Sequence, residues 1–344
     1  MQNQAKRLRL NAFIMIMAVI MLVVAGCGGN NNSANTGNNG SNSNVAAEEN
    51  TAANTEHTGT QSEEVRVIEH AMGSTEIEGT PERVVILTNE GTEALLAVGV
   101  KPVGAVMSWI GDPWYDHIKD EMEGVEMVGD ELQPNIELIA SLQPDLIIGN
   151  KVRQEKIYDQ LNQIAPTVFA EDLAGDWKIN FALYTDALNK KAEGEELMAA
   201  YDQRVEEVKS KLGDKADTKV SVVRFTAGDV RIYQKQTFSG VLLSQLGVAR
   251  PASQDKDQFI EKLTKERIPD MDGDVMFYFV SEAPGSSDAA NVAKDWLEDP
   301  LFQSLNVAKN DKVIEVNEAI WNTAGGYKAA NLLLDEIAAY FEVQ

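Results

Sequence analysis

Short apolar runs alternate with segments of helical periodicity along most of this chain. The apolar runs occupy residues 83–87, 102–106, 144–149 and 166–170, and the same cadence returns at 219–225, 274–280 and 312–316. Segments such as GTEALLAVGV and NIELIASL lie between them. This strand–helix–strand order predicts a mainly parallel α/β sheet. Because residues 65–344 are long for one core, we expect two lobes.

The two halves of this pattern also match each other in detail. The segments LLAVGV and LSQLGV share the spacing Leu-x-x-apolar-Gly-Val. Glu137 stands eight residues before Asp145, which opens one apolar run. Glu266 stands eight residues before Asp274, which opens another. This weak internal repeat predicts two lobes of similar topology.

A charged segment between the halves predicts how they are joined. Apolar residues recur there in three- and four-residue steps, at Leu197, Tyr201, Val205, Val208 and Leu212. The spacing predicts an amphipathic helix of about 20 residues or more, roughly 30 Å long. It is either an ordinary surface helix or a rigid strut between the lobes, and its position favours the strut. The predicted boundaries are 63–175 for the first lobe, 176–213 for the linking helical segment and 214–344 for the second lobe.

The first 27 residues predict export and lipidation. Three basic residues precede an apolar run of 15 residues that ends at Gly26. A run this short does not suit a spanning helix, which needs ~20 residues, but it suits a signal peptide. Cys27, the only cysteine of the chain, follows in a segment that resembles a bacterial lipobox. We therefore predict that residues 1–26 are removed and that Cys27 carries a lipid anchor on the extracytoplasmic face of a Gram-positive-type cell membrane. The alternative is a signal peptide with a chance cysteine.

The composition limits the partners and the chemistry. Residues 27–62 are rich in Asn, Gly, Ser and Thr, which predicts a disordered tether. The formal net charge of −24 argues against a nucleic-acid partner. The chain has no G-x-S-x-G, P-loop or C-x-x-C motif, and its three histidines lack metal-ligand spacing. We therefore expect a monomeric binding protein without a metal or cofactor of its own, not an enzyme, with its ligand in a cleft between the lobes.

Arginines and aromatic residues follow the predicted strands in both halves. The candidate ligand-binding residues are Trp109, Arg153, Arg224, Arg231, Tyr233, Trp321 and Asn322. Guanidinium groups bind carboxylates in a bidentate manner, and aromatic rings can cover an apolar chelate edge. This set therefore predicts a site for a multiply anionic ligand. Trp321 precedes a helix, so it could be an ordinary core residue instead of a ligand contact.

The other candidates also have structural alternatives. Arg153 could be a solvated charge in the first turn of a helix. Arg231 and Tyr233 share one face of a returning strand but could be solvated hairpin residues. Arg224 ends a buried strand and needs an anionic partner, which could be Asp229 in the same hairpin instead of a ligand.

The sequence resembles the siderophore-binding lipoproteins of ABC importers over nearly all of residues 65–344. The motifs that carry this resemblance are TPERVVIL, GVKPVGAV, PNIELIASLQPDLIIG, KIYDQLNQIAPTV and WNTAGGYKAANLLLDEI. It implies an α/β fold with two Rossmann-like lobes joined by one long rigid α-helix. It also implies that a ferric siderophore, which holds the iron itself, binds between the lobes and passes to an ABC permease dimer. The segments MSWIGDP and WNTAGGYK look closest to receptors for citrate-based siderophores, of the staphyloferrin B and schizokinen types.

The resemblance assigns roles to individual residues. Glu137 and Glu266 match the glutamates that meet permease arginines, although both could simply be helix-start residues favoured by the helix dipole. Arg153 and Arg231 match basic ligand contacts. Arg224 departs from the pattern, which has a neutral residue there, and indicates a slightly different chelate, a citrate-based carboxylate or a mixed hydroxamate. The alternative cargoes are a catecholate siderophore, haem or cobalamin.

Overall fold

The computed structural model describes residues 65–343. The predicted signal peptide, Cys27 and the tether lie outside the described residues. The strands are β1 (Val65–His70), β2 (Gly73–Glu78), β3 (Val84–Ile86), β4 (Gly104–Ala105), β5 (Glu126–Met127), β6 (Leu146–Asn150), β7 (Thr167–Ala170), β8 (Val220–Thr226), β9 (Val230–Tyr233), β10 (Ile260–Leu263), β11 (Val275–Ser281) and β12 (Val313–Glu315).

The helices fill the intervals between these strands. They are α1 (Asn89–Ala97), α2 (Ile136–Ser141), α3 (Lys151–Gln154), α4 (Tyr158–Asn162), α5 (Trp177–Ala187), α6 (Lys191–Leu212), α7 (Phe238–Gln245), α8 (Asp288–Leu297), α9 (Pro300–Gln303), α10 (Asn306–Lys309) and α11 (Tyr327–Tyr340). Short 3₁₀ turns occur at Glu155–Ile157, Ala174–Asp176, Gly213–Asp217 and Lys265–Met271, and a π turn at Ala319–Thr323. None of the helices within residues 65–343 is both long and apolar enough to cross a membrane.

The first sheet is parallel throughout, in the order β5-β4-β3-β6-β7. Val84, Val85 and Ile86 are completely buried, as expected for a strand with helices on both faces of its sheet. Asp145, at the start of the β6 run, accepts hydrogen bonds from the backbone amides of Glu82 and Arg83. This carboxylate therefore aligns the beginnings of two neighbouring strands.

The second sheet has the order β10-β9-β8-β11-β12 and is mixed. Strands β8, β11 and β12 are parallel, as predicted, but β9 and β10 are antiparallel to their neighbours. The reversal follows from the tight turn after β8, in which the hydroxyl of Thr226 accepts hydrogen bonds from the amides of Gly228 and Asp229. Asp274 accepts from the amide of Lys219 and so repeats the role of Asp145.

The predicted repeat has a structural basis in two matching helix ends. Gly99 and Gly247 both adopt a positive φ, +75° and +71°. In each segment the amide of the following valine donates to the carbonyl of the first leucine, over 2.9 Å and 3.0 Å respectively. This is a Schellman-type helix end, which glycine accommodates without strain.

The predicted linking helix is confirmed as α6, which has 22 residues. Tyr201, Val205 and Leu212 form its buried side, in agreement with the predicted stripe. Gly194 lies in its first turns because a Cβ there would come within 2.4 Å of the hydroxyl oxygen of Thr185 on α5. The glycine thus allows α5 and α6 to pack closely.

The two lobes also share one apolar core. The largest buried cluster includes strand residues of both sheets, such as Val84 and Val220, together with side chains of α11. At the start of α11, the amide of Ala329 donates to Oε2 of Glu93 on α1 over 2.9 Å. Gly326 permits this approach, since a Cβ there would come within 2.8 Å of the carbonyl oxygen of Glu90. The last helix is therefore docked on the first lobe.

Candidate functional site

A cleft of about 310 Å³ lies at the carboxyl ends of the parallel strands. The segments that follow strands of the first sheet supply Glu90, Trp109, Glu131, Arg153, Leu173 and Ala174. The second half supplies Arg224, Arg231, Tyr233, Phe259 and residues 322–325. The cleft continues into a wider cavity of about 680 Å³ that shares Arg153 and Phe259. Ligands of open α/β sheets bind in such crevices.

Six of the predicted site residues line this cleft together. They are Trp109, Arg153, Arg224, Arg231, Tyr233 and Asn322. The sequence predicted all six just past strand ends, and Trp109, Arg153 and Asn322 do follow strands. Arg224 lies near the turn end of β8, and Arg231 and Tyr233 lie within the returning strand β9, so the hairpin brings these three to the cleft. Their role in ligand binding is a prediction.

Arg153 belongs to α3, which begins directly after β6. Asn150 caps this helix, its side-chain oxygen accepting from the amide of Val152 over 2.8 Å. The guanidinium of Arg153 lies 5.8 Å from the ring centre of Trp109, in a cation–π arrangement. Its Nε is 3.5 Å from Oε2 of Glu131. Arg153 is therefore a partly exposed cleft cation with one carboxylate neighbour.

Glu131 is fixed by the start of α1. Its Oε1 accepts from both the backbone amide and the side-chain amide of Asn89, each over 2.8 Å. Only 4 % of the residue is exposed. One carboxylate oxygen of Glu131 thus accepts hydrogen bonds at the start of α1, and the other lies near the guanidinium of Arg153.

Arg224 is held by a carboxylate that the sequence analysis did not identify. Its Nη2 lies 2.8 Å from Oε1 of Glu318 and donates to the hydroxyl of Ser281 over 2.6 Å. The suggested pair of Arg224 with Asp229 is wrong, because Asp229 is engaged by Arg231 on the other strand of the hairpin. Nε of Arg224 is buried and has no hydrogen-bond partner among the described residues.

Arg231 is paired within its own hairpin. Its Nε donates to Oδ1 of Asp229 over 2.5 Å and its Nη2 to Oδ2 over 3.2 Å. Lys262 on β10 contacts the same carboxylate at 2.6 Å. The hydrogen bond from Arg231 is the largest cause that lowers the pKa of Asp229, to about 2. The Asp229 carboxylate therefore stays charged and orients the guanidinium.

Tyr233 and Asn322 link the hairpin to the π turn. The hydroxyl of Tyr233 donates to Oδ1 of Asn322 over 3.1 Å, and Nδ2 of Asn322 lies 3.4 Å from Oε1 of Glu318. Burial raises the pKa of Tyr233 to about 12, so its hydroxyl remains a donor at neutral pH. Glu318 thus supports both Arg224 and Asn322.

Glu90 lines the cleft from the first turn of α1 and was also missed by the sequence analysis. Its Oε1 accepts from Nδ2 of Asn180 over 2.7 Å and from the hydroxyl of Tyr184 over 3.0 Å. Burial raises the pKa of this carboxyl group to about 8, the two hydrogen bonds opposing the shift. Glu90, Glu131 and Glu318 all follow strands, which was the available signal, but in so acidic a chain another glutamate carries little information.

The structure places Trp321 outside this group and corrects its prediction. The residue is 1 % exposed and its ring lies 4.6 Å from that of Phe277. Its indole nitrogen donates to Oε2 of Glu336 on α11 over 2.5 Å. Trp321 is therefore a core residue, because the π turn directs it toward α11 while its neighbour Asn322 lines the cleft.

The two predicted docking glutamates are exposed and do not line the cleft. Glu137 lies in the first turn of α2, and Glu266 lies in the 3₁₀ turn Lys265–Met271. A hydrogen bond with the Thr264 side chain is the largest cause that lowers the pKa of Glu266. Both are therefore placed where a partner protein can reach them.

The cleft offers guanidinium groups and aromatic side chains, and its residues do not form a metal site. Within residues 65–343, no group of three or more His, Cys, Asp or Glu side chains is arranged to hold a metal ion. Trp109 and Phe259 are 43 % and 48 % exposed, so both present aromatic surface at the cleft.

Comparison with known proteins agrees with this geometry. The chain is 53% identical over 300 residues to a protein of Bacillus subtilis named probable siderophore-binding lipoprotein YfiY, covering 85% of this chain and 92% of that protein. It is 32% identical over 265 residues to the achromobactin-binding periplasmic protein of Dickeya dadantii, covering 75% of this chain and 86% of that protein. The crystal structure of Staphylococcus aureus SirA complexed with staphyloferrin B superimposes with a TM-score of 0.75 at 37% identity, covering 81% of this chain and 99% of SirA.

These relatives confirm the family and the two-lobed fold that the motifs indicated. The family model described as periplasmic binding protein matches residues 84–319. Together with the relative at 53% identity, this match shows that the chain belongs to the periplasmic binding protein family.

Proposed function

We propose that this protein captures a ferric siderophore in the cleft and delivers it to an ABC permease for iron uptake. The observation that carries the proposal is the convergence of Arg153, Arg224 and Arg231, from both lobes, on one cavity. Guanidinium groups with uncommitted N–H donors suit an anionic ligand with several carboxylate or hydroxamate oxygens. The similarity to siderophore-binding proteins supports the same assignment.

In this proposal the iron is held by the siderophore. The cleft offers donors and aromatic faces, which recognise the outside of a chelate and not the metal itself. Trp109, stacked near Arg153, would cover the organic part of the ligand while the guanidinium contacts its oxygens. The protein is then a transport receptor whose specificity depends on the charge and shape of the chelate.

A citrate-based siderophore is the cargo we favour. SirA was crystallised with staphyloferrin B, and the chain resembles SirA over nearly all of that protein. Arg224 adds a cation that the staphyloferrin-type pattern lacks, and Glu318 holds it in place beside the cleft. We therefore expect a related chelate whose negative charge is distributed differently from that of staphyloferrin B.

Delivery requires an anchor and a docking surface. We propose that Cys27 carries the lipid anchor, in line with the name lipoprotein given to relatives from Bacillus subtilis. Glu137 and Glu266 are proposed as the two contacts with the permease. Their exposure and their matching places in the repeat support this role.

Native mass spectrometry of the purified protein with a panel of chelates tests the proposal. The panel contains ferric citrate, ferric staphyloferrin B, ferric schizokinen and a ferric catecholate siderophore, together with haem and cobalamin. We expect a one-to-one complex with a citrate-based chelate. A complex with only haem, cobalamin or the catecholate would show that the cargo is that compound and not a citrate-based chelate. The absence of any complex would contradict the proposed function.

A further inference from the structure

One carboxyl group in the cleft has no role in the ion pairs described above. Glu90 is 7 % exposed, and its Oε1 is engaged by Asn180 and Tyr184. Its Oε2 is buried and has no hydrogen-bond partner among the described residues. A buried polar atom without a partner is costly, and in a ligand-binding cleft the missing partner is most simply an atom of the ligand.

The charges around the cleft explain what form of Glu90 the site requires. Each cleft guanidinium is paired with a carboxylate of its own half: Arg153 with Glu131, Arg224 with Glu318, and Arg231 with Asp229. In these three pairs each positive charge is matched by one negative charge, and none of them includes Glu90. An ionised Glu90 would add an uncompensated negative charge to a cleft that receives an anion.

We propose that Glu90 takes part in the complex as an uncharged acid, with Oε2 donating a hydrogen bond to an oxygen of the bound chelate. This inference rests on the proposed function and deepens it. It assigns to the cleft a donor that recognises a ligand oxygen without adding positive charge. A glutamate that accepts with one oxygen and donates with the other can hold α5 and the ligand simultaneously.

The groups that face Glu90 favour this protonation state. From helix α5, the neutral donors Asn180 and Tyr184 bond Glu90. The negative charges of Glu131 and Asp172 act in the same direction as burial in raising the pKa of Glu90. On its own helix, the next acidic residue is Glu93, which is engaged by His117 and by the amide of Ala329. On α11, which also packs against α1, Lys328 is paired with Glu121.

The experiment compares the native protein with Glu90→Gln, which is neutral at every pH and keeps an acceptor and a donor. The dissociation constant for ferric staphyloferrin B is measured by tryptophan fluorescence between pH 6.5 and 9.5. At each pH, the dissociation constant of the native protein is divided by that of Glu90→Gln, which cancels the titration of the chelate itself. We expect this ratio to lie within about threefold of one at pH 6.5. Above the pKa of Glu90 it should rise by roughly tenfold per pH unit, because the native protein must then take up a proton to bind.

The matched control is Glu336→Gln. Partial burial also raises the pKa of Glu336, but this residue bonds the indole of Trp321 and does not line the cleft. The dissociation constant of the native protein divided by that of Glu336→Gln should stay constant with pH. A ratio for Glu90→Gln that does not change with pH, or a loss of affinity above tenfold at pH 6.5 in a folded variant, would overturn the inference.

If the native protein binds another chelate of the panel instead, the same series is run with it. Absence of binding by the native protein to every chelate is a different result and would overturn the proposed function together with this inference.

Discussion

Arg224 and Arg231 stand directly opposite each other on the antiparallel strands β8 and β9, so their side chains share one side of the sheet. Like charges in this position normally destabilise a strand pair. Here Glu318 and Asp229 neutralise the two cations separately. The hairpin can therefore present two guanidinium groups to a ligand without a large cost to the stability of the fold.

Removing Arg231 should weaken binding without unfolding the protein. For Arg231→Ala we expect a loss of ~1–3 kcal/mol in the binding free energy of the chelate, as for a lost charged hydrogen-bond partner. Fluorescence titration provides the measurement. Arg267→Ala is the control, because Arg267 pairs with Glu261 and Asp270 and does not line the cleft. Equal affinities of the two variants would remove Arg231 from the site.

The two tryptophans should separate binding from stability. Trp109 is 43 % exposed at the cleft, whereas Trp321 is 1 % exposed in the core. Trp109→Phe should abolish most of the ligand-induced fluorescence change, and isothermal titration calorimetry should show whether affinity falls with it. Trp321→Phe should retain the fluorescence change but lower the melting temperature. The reverse outcome would restore Trp321 as the ligand contact.

Glu90 should also make stability depend on pH. Its pKa is raised to about 8 in the folded protein. The folded state therefore keeps a proton that the unfolded state releases above its ordinary pKa near ~4.3, so this residue lowers stability as pH rises between those values. Glu90→Gln should remove a slope of at most about 1.4 kcal/mol per pH unit in urea unfolding between pH 5 and pH 8. Glu195→Gln, at an exposed site on α6, controls for the substitution. Parallel curves for the native protein and Glu90→Gln would show that Glu90 is ionised.

Adding one methyl group at Gly326 should disturb the contact between the lobes. A Cβ there would come within 2.7 Å of Oε2 of Glu93 and 2.8 Å of the carbonyl oxygen of Glu90. We expect Gly326→Ala to reduce the free energy of unfolding by ~1–3 kcal/mol, as for other overpacked sites. Gly228→Ala is the control, since no described atom beyond its two chain neighbours lies within 4 Å of a Cβ at Gly228. Differential scanning calorimetry compares the two, and similar melting temperatures would contradict the packing argument.

The proposed docking glutamates should affect transport alone. Glu137 and Glu266 are exposed and outside the cleft. The double variant Glu137→Ala, Glu266→Ala should bind the chelate with native affinity but lower uptake of ⁵⁵Fe by cells that depend on this receptor. Glu195→Ala tests whether loss of any exposed glutamate is sufficient. Unchanged uptake by the double variant would argue against the docking role.

Much of the fold was predictable because the periodicity of apolar residues and the spacing of glycines reflect local backbone structure. The stripe from Leu197 to Leu212 predicted α6. The leucine–glycine–valine spacing predicted an internal repeat, which the structure contains as two equivalent helix ends. The sequence also predicted a strand that returns after Arg224, which β9 confirms, but not the mixed order of the second sheet. That order depends on the turn from Thr226 to Asp229, where three side-chain and backbone bonds decide the direction of the next strand.

The site was predictable in its cations but not in its anions. Position after a strand identified Arg153, because strand ends converge in an open α/β sheet. Arg224 and Arg231 were identified with the hairpin, in which they lie at the end of β8 and within β9. Their partners Glu131 and Glu318 come from distant segments, and no sequence pattern distinguishes them from the other acidic residues. Trp321 was misplaced because adjacent residues of the π turn point to different surroundings.

The bond between Glu93 and Ala329 has a consequence for the order in which the protein can fold. The donor and the acceptor are 236 residues apart. During synthesis, almost the entire chain must be made before this buried carboxylate of the first lobe acquires its backbone partner from α11. Closing so long a loop is slow relative to forming local contacts. Completion of the first lobe is thereby coupled to arrival of the last helix, so a chain cut short before α11 would retain an incomplete first lobe as well as an incomplete second one.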